Sequence, residues 1–441
     1  MSSKRKKVLA EGAMALGHKI ALDPTPRQAE MLARAAGCSR FTWNWALAEW
    51  KSEVDIGHQP TVARLKKRFN EIKADKFAWI YESPKDANQQ PFADLLQGIR
   101  DYEDSRDGTR KGAKVGFPTW KKRGQHDSFY VSNDKFHFYP YNMVCLPVIG
   151  DVALCESPRL HGKILGARIH READRWFISV YVQGEFRRPT VSTFDIAGVD
   201  LGLTKAAVSS TGRKFSAPKP LRSMLRRLRR KNRDLHRKKK GSKNRQKEAL
   251  RLARLHKRIH DIREDFLQKV TTLLCRENQA MVLEDLNVAG MLRNHRLARA
   301  LSDVGLGRFR ELAKRKGPLY DCLVILADRW FPSTLRCCRC GHLKKEMPLK
   351  ERVYHCEKCG LVMDRDENAS NNLALYPWLT EKKTPAIETL LHSGISRPWF
   401  GVPGDPGVGP PPDCPSTRRA PGAEQGRSVT QEATVSPCAH V

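Results

Sequence analysis

Long hydrophobic runs are what this sequence of 441 residues most plainly lacks. No uninterrupted apolar stretch approaches the ~20 residues that an α-helix needs to span a bilayer. Residues 1–20 begin with basic side chains but contain neither a long apolar segment nor a cleavage signal of a secreted protein. We therefore expect no membrane-spanning segment and no secretion, and we interpret the chain as a cytoplasmic protein.

Acidic residues are also scarce relative to basic ones. The chain has 80 lysines and arginines against 48 aspartates and glutamates, which gives a formal net charge of +32. Ordinary metabolic enzymes do not need such an imbalance, so the charge indicates a polyanionic partner. Nucleic acid is favoured over an anionic membrane surface because apolar segments are missing. The length allows two to four domains of about 100–200 residues each.

Only 12 cysteines are present, and four of them form two C-x2-C pairs separated by 15 residues. Four thiolates at this spacing can complete a tetrahedral shell around Zn²⁺ and leave no open position for catalysis. A glycine follows the second cysteine of each pair and permits the tight turn of a zinc knuckle. The sequence therefore predicts a structural zinc site in a reducing compartment, with Cys338 as a bystander and these ligands: Cys337, Cys340, Cys356 and Cys359.

The N-terminal part predicts a strand that ends near residue 23 and is followed by helices. Thr25 is expected to cap a helix whose first residue is Pro26, and Gln28 completes a capping box. Gly37 is expected to divide this segment into two helices. Four aromatic residues are interpreted as helix core rather than as base-stacking groups, namely Phe41, Trp43, Trp45 and Trp50.

Alternating apolar and polar residues replace the helical pattern from about Gly116 to Arg188. They predict a small antiparallel barrel or sheet with strands at residues 128–131, 136–139, 164–171 and 175–183. Because an isolated strand precedes the helical region, we interpret the helices as an insertion into this β domain.

The most charged segment runs from Lys219 to Arg263, with 20 lysines and arginines against 3 acids, a net charge of +17. Leucine spacing predicts two helices with a break at Gly241-Ser242. These charges would repel one another strongly without a polyanion, so a nucleic-acid surface is favoured over a merely solvated face. The expected phosphate contacts are Arg226, Arg227, Arg229, Arg230, Lys231, Arg233, Lys238, Lys239 and Lys240.

Three acidic motifs lie far apart in the chain. Asp200 lies in an apolar strand, the apolar run from Ala280 ends in Glu284 and Asp285, and residues 363–369 lead into a helix expected over 370–375. An acid inside an apolar strand is costly unless it is paired, hydrogen-bonded or metal-bound. Acids from three distant elements indicate a divalent-cation site for phosphoryl transfer.

The order of these motifs resembles the TnpB family of insertion-sequence proteins, and the miniature type V CRISPR effectors thought to descend from it. The similarity extends from about Gly17 to Tyr376. It includes the four-cysteine pattern and the motifs GVDLGL (198–203), VLEDLN (282–287), DRDENASNNL (364–373), FTWNWAL (41–47), GFPTWK (116–121) and FPST (331–334). Each motif alone is weak, but the set in this order is highly specific.

The resemblance implies a multidomain α+β fold. A wedge-like β-barrel (residues 1–24 and 116–190) is expected to carry an inserted helical recognition lobe (25–115). An RNase H-like (RuvC) α/β domain is expected to follow, at 191–331 with the basic helices 219–263 and again at 361–380. A four-cysteine zinc ribbon (332–360) is inserted in it, and residues 381–441 are expected to form a disordered tail rich in proline and glycine.

The resemblance also implies the function and the cofactors. The family binds a noncoding guide RNA, recognises double-stranded target DNA beside a short adjacent motif, and cuts it with two Mg²⁺ ions. By motif position, the implied catalytic magnesium ligands are Asp200, Glu284 and Asp366, with Asp285 and Asp364 as competing choices. The protein is then expected in the prokaryotic cytosol, associated with the nucleoid.

Several related functions are weighed against this reading. A type V effector would use array-derived RNA in place of a transcript from its own element. A cleavage-deficient RNA-guided repressor should lack one of the acids, whereas all three are present. A transposase that performs strand transfer itself is disfavoured because the sequence shows no nucleophile pocket of the tyrosine type.

Overall fold

A computed structural model describes residues 14–110, 112–184, 196–348, 350–381, 384–393, 395 and 397–398. The chain forms two compact units, the first comprising Met1–Arg188 and Lys219–Asp265, the second Pro189–Pro218 and Phe266–Val441. Both units contain helices and strands, which confirms the expected multidomain α+β class. Residues 401–441, where the tail was predicted to be disordered, lie outside the described residues.

The first unit contains a seven-stranded antiparallel sheet of order β2-β6-β7-β1-β5-β4-β3. The middle strand β1 pairs with β7 along most of its length and with β5 at Leu22 and Asp23, so it joins the two halves of the sheet. The four predicted strands are present, whereas β4 and β5 were not predicted. The described pairings do not close the sheet, so the barrel stays a prediction. The strands are β1 (Met14–Asp23), β2 (Ser128–Ser132), β3 (His137–Tyr139), β4 (Met143–Leu146), β5 (Gly150–Leu154), β6 (Lys163–Glu172) and β7 (Arg175–Gly184).

Three helices lie between β1 and β2 in the chain: α1 (Pro26–Asp55), α2 (Val62–Lys76) and α3 (Lys85–Arg106). The capping box at Thr25 and Gln28 is confirmed. The break predicted at Gly37 is wrong, because α1 continues through it. Its neighbours Ala36 and Cys38 are buried, and such packing offsets the roughly 1 kcal/mol that glycine costs a helix relative to alanine.

The aromatic residues of α1 belong to the core, as predicted. The rings of Trp45 and Phe69 have their centroids 4.8 Å apart, and the Trp43 indole N–H donates to the Thr119 carbonyl at 3.0 Å. The side chain of Asn44 both accepts from the Lys121 N–H (2.8 Å) and donates to its carbonyl (3.0 Å). Two of the motifs that carry the family resemblance, 41–47 and 116–121, are therefore held together by direct contacts.

The basic segment forms two helices, α4 (Pro220–Arg237) and α5 (Lys243–Glu277), with the predicted break between them. Lys219–Asp265 groups with the first unit and the rest of α5 with the second, so the assignment of the basic helices to the nuclease domain stays a prediction. The physical reason for the grouping with the first unit is a set of ion pairs to the β6–β7 turn, where Lys257 binds Glu172 (3.1 Å) and Arg254 binds Asp174 (2.6 Å). Although burial opposes it, hydrogen bonds from Lys19 and Lys257 lower the pKa of Glu172 to about 2.

The second unit contains a five-stranded sheet of order β10-β9-β8-β11-β12. Strands β8, β11 and β12 are parallel, and β9 and β10 form an antiparallel hairpin beside β8. The central strands read as continuous apolar runs because helices cover the sheet on both faces. The strands are β8 (Ile196–Asp200), β9 (Ala207–Ser209), β10 (Lys214–Phe215), β11 (Ala280–Glu284) and β12 (Leu323–Ala327).

The buried side chains of β11 alternate between two hydrophobic clusters. Met281 and Leu283 pack in a cluster with residues of α5 and of the helix Leu306–Lys316, whereas Val282 packs with residues of the helices Arg365–Leu379 and Pro385–His392. A two-stranded ribbon of β13 (Val353–His355) and β14 (Val362–Asp364) precedes the helix that begins at Arg365. The helices of this unit that follow α5 are α6 (Val288–Met291), α7 (His295–Val304), α8 (Leu306–Lys316), α9 (Arg365–Leu379) and α10 (Pro385–His392).

Two predicted boundaries near the end of the second unit are wrong. Helix α9 begins at Arg365 rather than at residue 370, because the Asp364 side chain caps it. The predicted tail cannot begin at residue 381, since α10 buries Ile387 and Leu390 in the core. Among the described residues, none of the helices has the length and apolar character needed to cross a bilayer.

Candidate active site and metal centre

Asp200 and Glu284 end two neighbouring parallel strands. In the register of β8 and β11, Val199 lies opposite Leu283, so the next residue on each strand is one of the two acids. The carboxyl ends of parallel strands meet at one edge of a sheet, where ligand sites of α/β domains form. The fold therefore brings together two acids that are 84 residues apart in the sequence.

Asp366 lies in the first turn of α9, which packs against β8. The close approach depends on Gly198, where an added Cβ atom would collide with the Ser370 carbonyl oxygen and the Ala374 nitrogen of α9. Glycine is the only residue without a Cβ atom, so this close contact between β8 and α9 requires glycine at position 198. The motif around Asp200 was recognised in the sequence, but the packing role of Gly198 was missed. A glycine two residues before an acid in an apolar strand is the signal that could have revealed it.

Glu284 and Asp366 act electrostatically on Asp200. Burial raises the pKa of Asp200 to about 8, and the negative charges of Glu284 and Asp366 act in the same direction. Burial also raises the pKa of Glu284, against the hydrogen bond that the Ser333 hydroxyl donates to it at 2.6 Å. Like charges gathered in a half-buried site are relieved by a bound cation, and hard carboxylate oxygens suit Mg²⁺.

The competing acids are occupied by other partners. The Asp364 carboxylate accepts hydrogen bonds from the N–H groups of Asp366 (2.9 Å) and Glu367 (3.3 Å), as a helix cap does. Asp285 is paired with Arg310 (2.5 Å) and Arg329 (3.1 Å). These contacts occupy part of either carboxylate, whereas the ion pairs of Asp366 with Lys205 (3.8 Å) and Arg365 (3.7 Å) are longer. The choice of magnesium ligands among these acids stays a prediction.

Lys205, which sequence reasoning missed, contributes a positive charge to this site. Its Nζ lies 3.0 Å from the Asp364 carboxylate and 3.8 Å from that of Asp366. Although burial opposes it, Lys205 and the capping N–H groups lower the pKa of Asp364. The residue lies in the loop between β8 and β9, and no spacing in the sequence marks it.

The four predicted cysteine ligands form a compact group in which all four sulfur atoms lie within 4.8 Å of one another. The Sγ atoms of Cys337 and Cys359 are 3.7 Å apart, and those of Cys340 and Cys356 are 3.5 Å apart. Zinc–sulfur bonds of about 2.3 Å in a tetrahedron place neighbouring sulfurs about 3.8 Å apart. None of these four thiols forms a disulfide bond, so all four sulfur atoms fit the donor set of a closed zinc site.

Local geometry supports the same centre. Gly341 and Gly360 have φ angles of +73° and +69°, as the predicted tight turns require. Although burial opposes it, backbone N–H groups of Cys359 and Lys358 lower the pKa of Cys356 to about 7, which favours its thiolate. Burial instead raises the pKa of Cys337 and Cys340 in the metal-free group, so their thiolates would depend on a bound cation.

Cys338 is a bystander, as predicted, and it contacts α9 instead of joining the four-cysteine group. Its N–H donates to the side-chain oxygen of Asn368 at 3.0 Å, and the Asn368 amide donates to the Arg336 carbonyl at 2.7 Å. Asparagine is unfavourable inside helices, so the buried Asn368 was a signal of such a contact that sequence reasoning did not use.

The predicted nucleic-acid contacts on α4 differ in their surroundings. Lys231 is 3.3 Å from the buried carboxylate of Glu248, so this lysine has a structural partner. The other predicted residues are exposed to solvent, with the arginines on α4 and Lys238, Lys239 and Lys240 in the turn after it. The exposed arginines are Arg226, Arg227, Arg229, Arg230 and Arg233.

Comparison with known proteins places the chain in a family. A curated protein of Streptomyces pristinaespiralis, named "Putative RNA-guided DNA endonuclease", is 32% identical over 357 residues, which cover 79% of this chain and 86% of the relative. The chain belongs to the TnpB family. A second TnpB relative, "Putative RNA-guided DNA endonuclease InsQ" of Escherichia coli K12, is 29% identical over 80% of this chain and 90% of its own length.

Three family models match parts of this TnpB chain. "Probable transposase" (OrfB_IS605) matches residues 177–295, and "Cas12f1-like, TNB domain" matches residues 307–373, which contain the four cysteines. A model described as "Helix-turn-helix domain" matches residues 14–57, where the structure has strand β1 and the single helix α1. A solved Cas12f1–sgRNA–target DNA complex is similar with a TM-score of 0.47 and 11% identity, covering 82% of this chain and 99% of that one.

Proposed function

We propose that this protein is an RNA-guided DNA endonuclease that hydrolyses DNA phosphodiester bonds with Mg²⁺ bound by Asp200, Glu284 and Asp366. Similarity over about four fifths of the chain to relatives named as RNA-guided DNA endonucleases supports the activity. The observation that carries the chemistry is the convergence of three distant acids at one edge of the second unit's sheet. The three parallel strands with an antiparallel hairpin at one edge support the RNase H-like (RuvC) architecture.

Each residue at this edge has a defined task in the proposed reaction. When bound, two Mg²⁺ ions would activate the attacking water and stabilise the leaving oxygen. Asp200 and Glu284 hold their carboxylates in place at the ends of paired strands, and the Ser333 hydroxyl fixes the orientation of Glu284. Lys205 balances the charge of Asp364 and Asp366, so the cluster tolerates its negative charge before metal binds.

The remaining proposed roles concern the second metal and the nucleic acids. The four cysteines would hold one structural Zn²⁺ and fold the ribbon that precedes α9. Exposed guanidinium groups on α4 would bind phosphates of the guide RNA or of the RNA–DNA heteroduplex without reading sequence. Double-stranded target DNA would then be selected by pairing with the guide beside a short adjacent motif.

The test is cleavage directed by the RNA that the protein carries. RNA that co-purifies with the protein should be sequenced, and a target plasmid matching its guide portion should be cut in Mg²⁺ beside a short motif. The control plasmid carries a scrambled target and should remain intact. Cleavage of both plasmids, or of neither when RNA and metal are bound, would contradict the proposal. RNA from the end of the protein's own gene favours a TnpB guide, and array-derived repeats favour a type V effector.

A further inference from the structure

Trp330 lies in a loop next to the proposed nuclease site and exposes most of its side chain. Ala327, the last residue of β12, is the register partner of Glu284, so Trp330 follows three residues beyond the row that contains this acid. The exposed fraction of Trp330 is 85%. Such an exposed indole is costly in water, and here it lies on the loop that continues from the acid edge.

The backbone that carries Trp330 is held in place on both sides. The Trp330 N–H donates to the Asp328 carboxylate at 3.0 Å, and the Phe331 N–H donates to the Asp328 carbonyl at 3.0 Å. The Phe331 ring packs edge-on against Tyr376 of α9, with the centroids 4.9 Å apart. The exposure of the indole is therefore a property of a fixed loop rather than of an unanchored one.

The space beside this loop combines an acid and a cation. A cavity of about 200 Å³ is lined by Glu284, Asp285, Arg329 and Phe331, among others. The Arg329 guanidinium is held there by Asp285, through contacts to its carboxylate (3.1 Å) and its carbonyl (3.3 Å). Trp330 thus lies between two cavity-lining residues, one cationic and one aromatic.

Other exposed tryptophans in the described ranges have partners, and Trp330 differs from them. Trp79 packs edge-on against Phe41 with centroids 5.1 Å apart, and the Lys51 ammonium lies 5.4 Å from the Trp120 ring. Among the described residues, neither an aromatic ring nor a cation covers the Trp330 ring in this way. Its flat face is available to an external planar group.

We propose that Trp330 stacks on one base of single-stranded DNA and thereby positions the neighbouring phosphodiester at Asp200, Glu284 and Asp366. This inference rests on the proposed nuclease function and adds a substrate contact to it. A stacking contact suits the site because every base has a π face, so the contact tolerates all target sequences. Arg329 supplies a positive charge beside the same cavity for the phosphate that accompanies the base.

The first test compares three variants in guided cleavage at limiting target concentration. Trp330→Ala and Trp330→Leu should lower the single-turnover rate about 5- to 100-fold, the range expected for loss of one stacked base. Trp330→Phe should retain most of the rate because it keeps an aromatic face. Tyr141→Ala is the control, because it removes an aromatic side chain that is 97% exposed in the first unit. This variant should cleave at the wild-type rate. A wild-type rate for Trp330→Leu would overturn the proposal.

The second test locates the base. Targets with one abasic nucleotide, moved stepwise across the cleavage position, are cut by the wild type and by Trp330→Ala. At one position the two proteins should become equal, because the wild type loses the same stacking contact there. A constant difference at every position would show that Trp330 does not stack on a base. Cleavage by Asp200→Ala would instead contradict the nuclease function, independently of Trp330.

Discussion

The Asn372 side-chain amide donates to the Arg336 carbonyl at 2.6 Å, which joins helix α9 to the residue that directly precedes Cys337, the first of the four clustered cysteines. The same amide donates to the Ser333 carbonyl at 2.8 Å. Ser333 in turn binds Glu284 through its hydroxyl. One buried asparagine therefore connects the helix of Asp366, the entry to the ribbon and the partner of a second acid.

Removing this clamp should affect stability and cleavage together. Asn372→Ala should lower the free energy of unfolding by about 1–3 kcal/mol, because the Ser333 carbonyl loses its amide donor and the Arg336 carbonyl keeps only that of Asn368. Asn372→Asp should be worse, since it keeps the shape but places a carboxylate against those carbonyls. Urea unfolding measures both changes, with Asn371→Ala as the control because its amide contacts only the Cys338 sulfur (3.7 Å) among the described contacts. Equal stability of all three variants would contradict the clamp.

Cleavage should depend on three acids and much less on their neighbours. Cutting should be abolished in each of three variants, Asp200→Ala, Glu284→Ala and Asp366→Ala, because each lacks one proposed metal ligand. Each variant protein should still bind RNA and target DNA, because its basic surfaces are unchanged. Asp364→Ala should keep cleavage and lose about 1 kcal/mol of stability through the lost helix cap. Paired gel-shift and cleavage assays check this. If Asp366→Ala still cut DNA and Asp364→Ala did not, the third magnesium ligand would be Asp364 instead of Asp366.

Zinc content should separate the ligand cysteines from the bystander. Cys356→Ser should lose zinc, unfold the ribbon and lower cleavage, because metal binding contributes to the folding of such modules. Cys338→Ser is the matched control and should retain one zinc ion per chain, since its sulfur lies outside the four-cysteine group. Metal analysis of the purified proteins decides. A full zinc complement in Cys356→Ser would refute the assignment.

Neutralising the exposed arginines of α4 should weaken nucleic-acid binding without changing sequence preference. Changing Arg226, Arg227, Arg229 and Arg230 to Gln should flatten the salt dependence of RNA binding by up to about 0.7–0.9 log units per lost phosphate contact. Lys231→Gln should leave the salt slope largely unchanged and lower stability, because it leaves the buried Glu248 with fewer partners. An unchanged slope in the fourfold variant would mean that this face is merely solvated.

The metal-free protein should lose stability as the pH rises. Because burial and the neighbouring acids raise the pKa of Asp200 to about 8, the folded state holds a proton that the unfolded chain releases near pH 4. The contribution of this proton to the free energy of unfolding is fully present below pH 4 and is lost progressively as the pH rises to about 8. The melting temperature, measured by thermal unfolding in EDTA-free, magnesium-free buffer, should fall as the pH rises. The fall should be smaller in Asp200→Asn, which has no titrating carboxyl group at this position. A decline that is identical in Asp200→Asn would exclude Asp200 as its source.

Features set by neighbouring residues could be predicted from the sequence. The capping box at Thr25, the four-cysteine spacing and the two basic helices need only local geometry, and the structure has all of them. Predictions failed where packing outweighed local preference. Gly37 does not break α1 because its neighbours are buried, and α10 is folded because Ile387 and Leu390 reach the core.

Which distant groups meet depends on long-range packing. Asp200, Glu284 and Asp366 are separated by 84 and 82 residues, and parallel strand pairing and the contact of α9 at Gly198 bring them to one edge. The partners of Asp285 and Asp364, the position of Lys205 and the exposure of Trp330 likewise depend on elements remote in sequence. Local composition determines which residues a chain can offer to a site, but burial and long-range packing determine which of them lie together and with what charge.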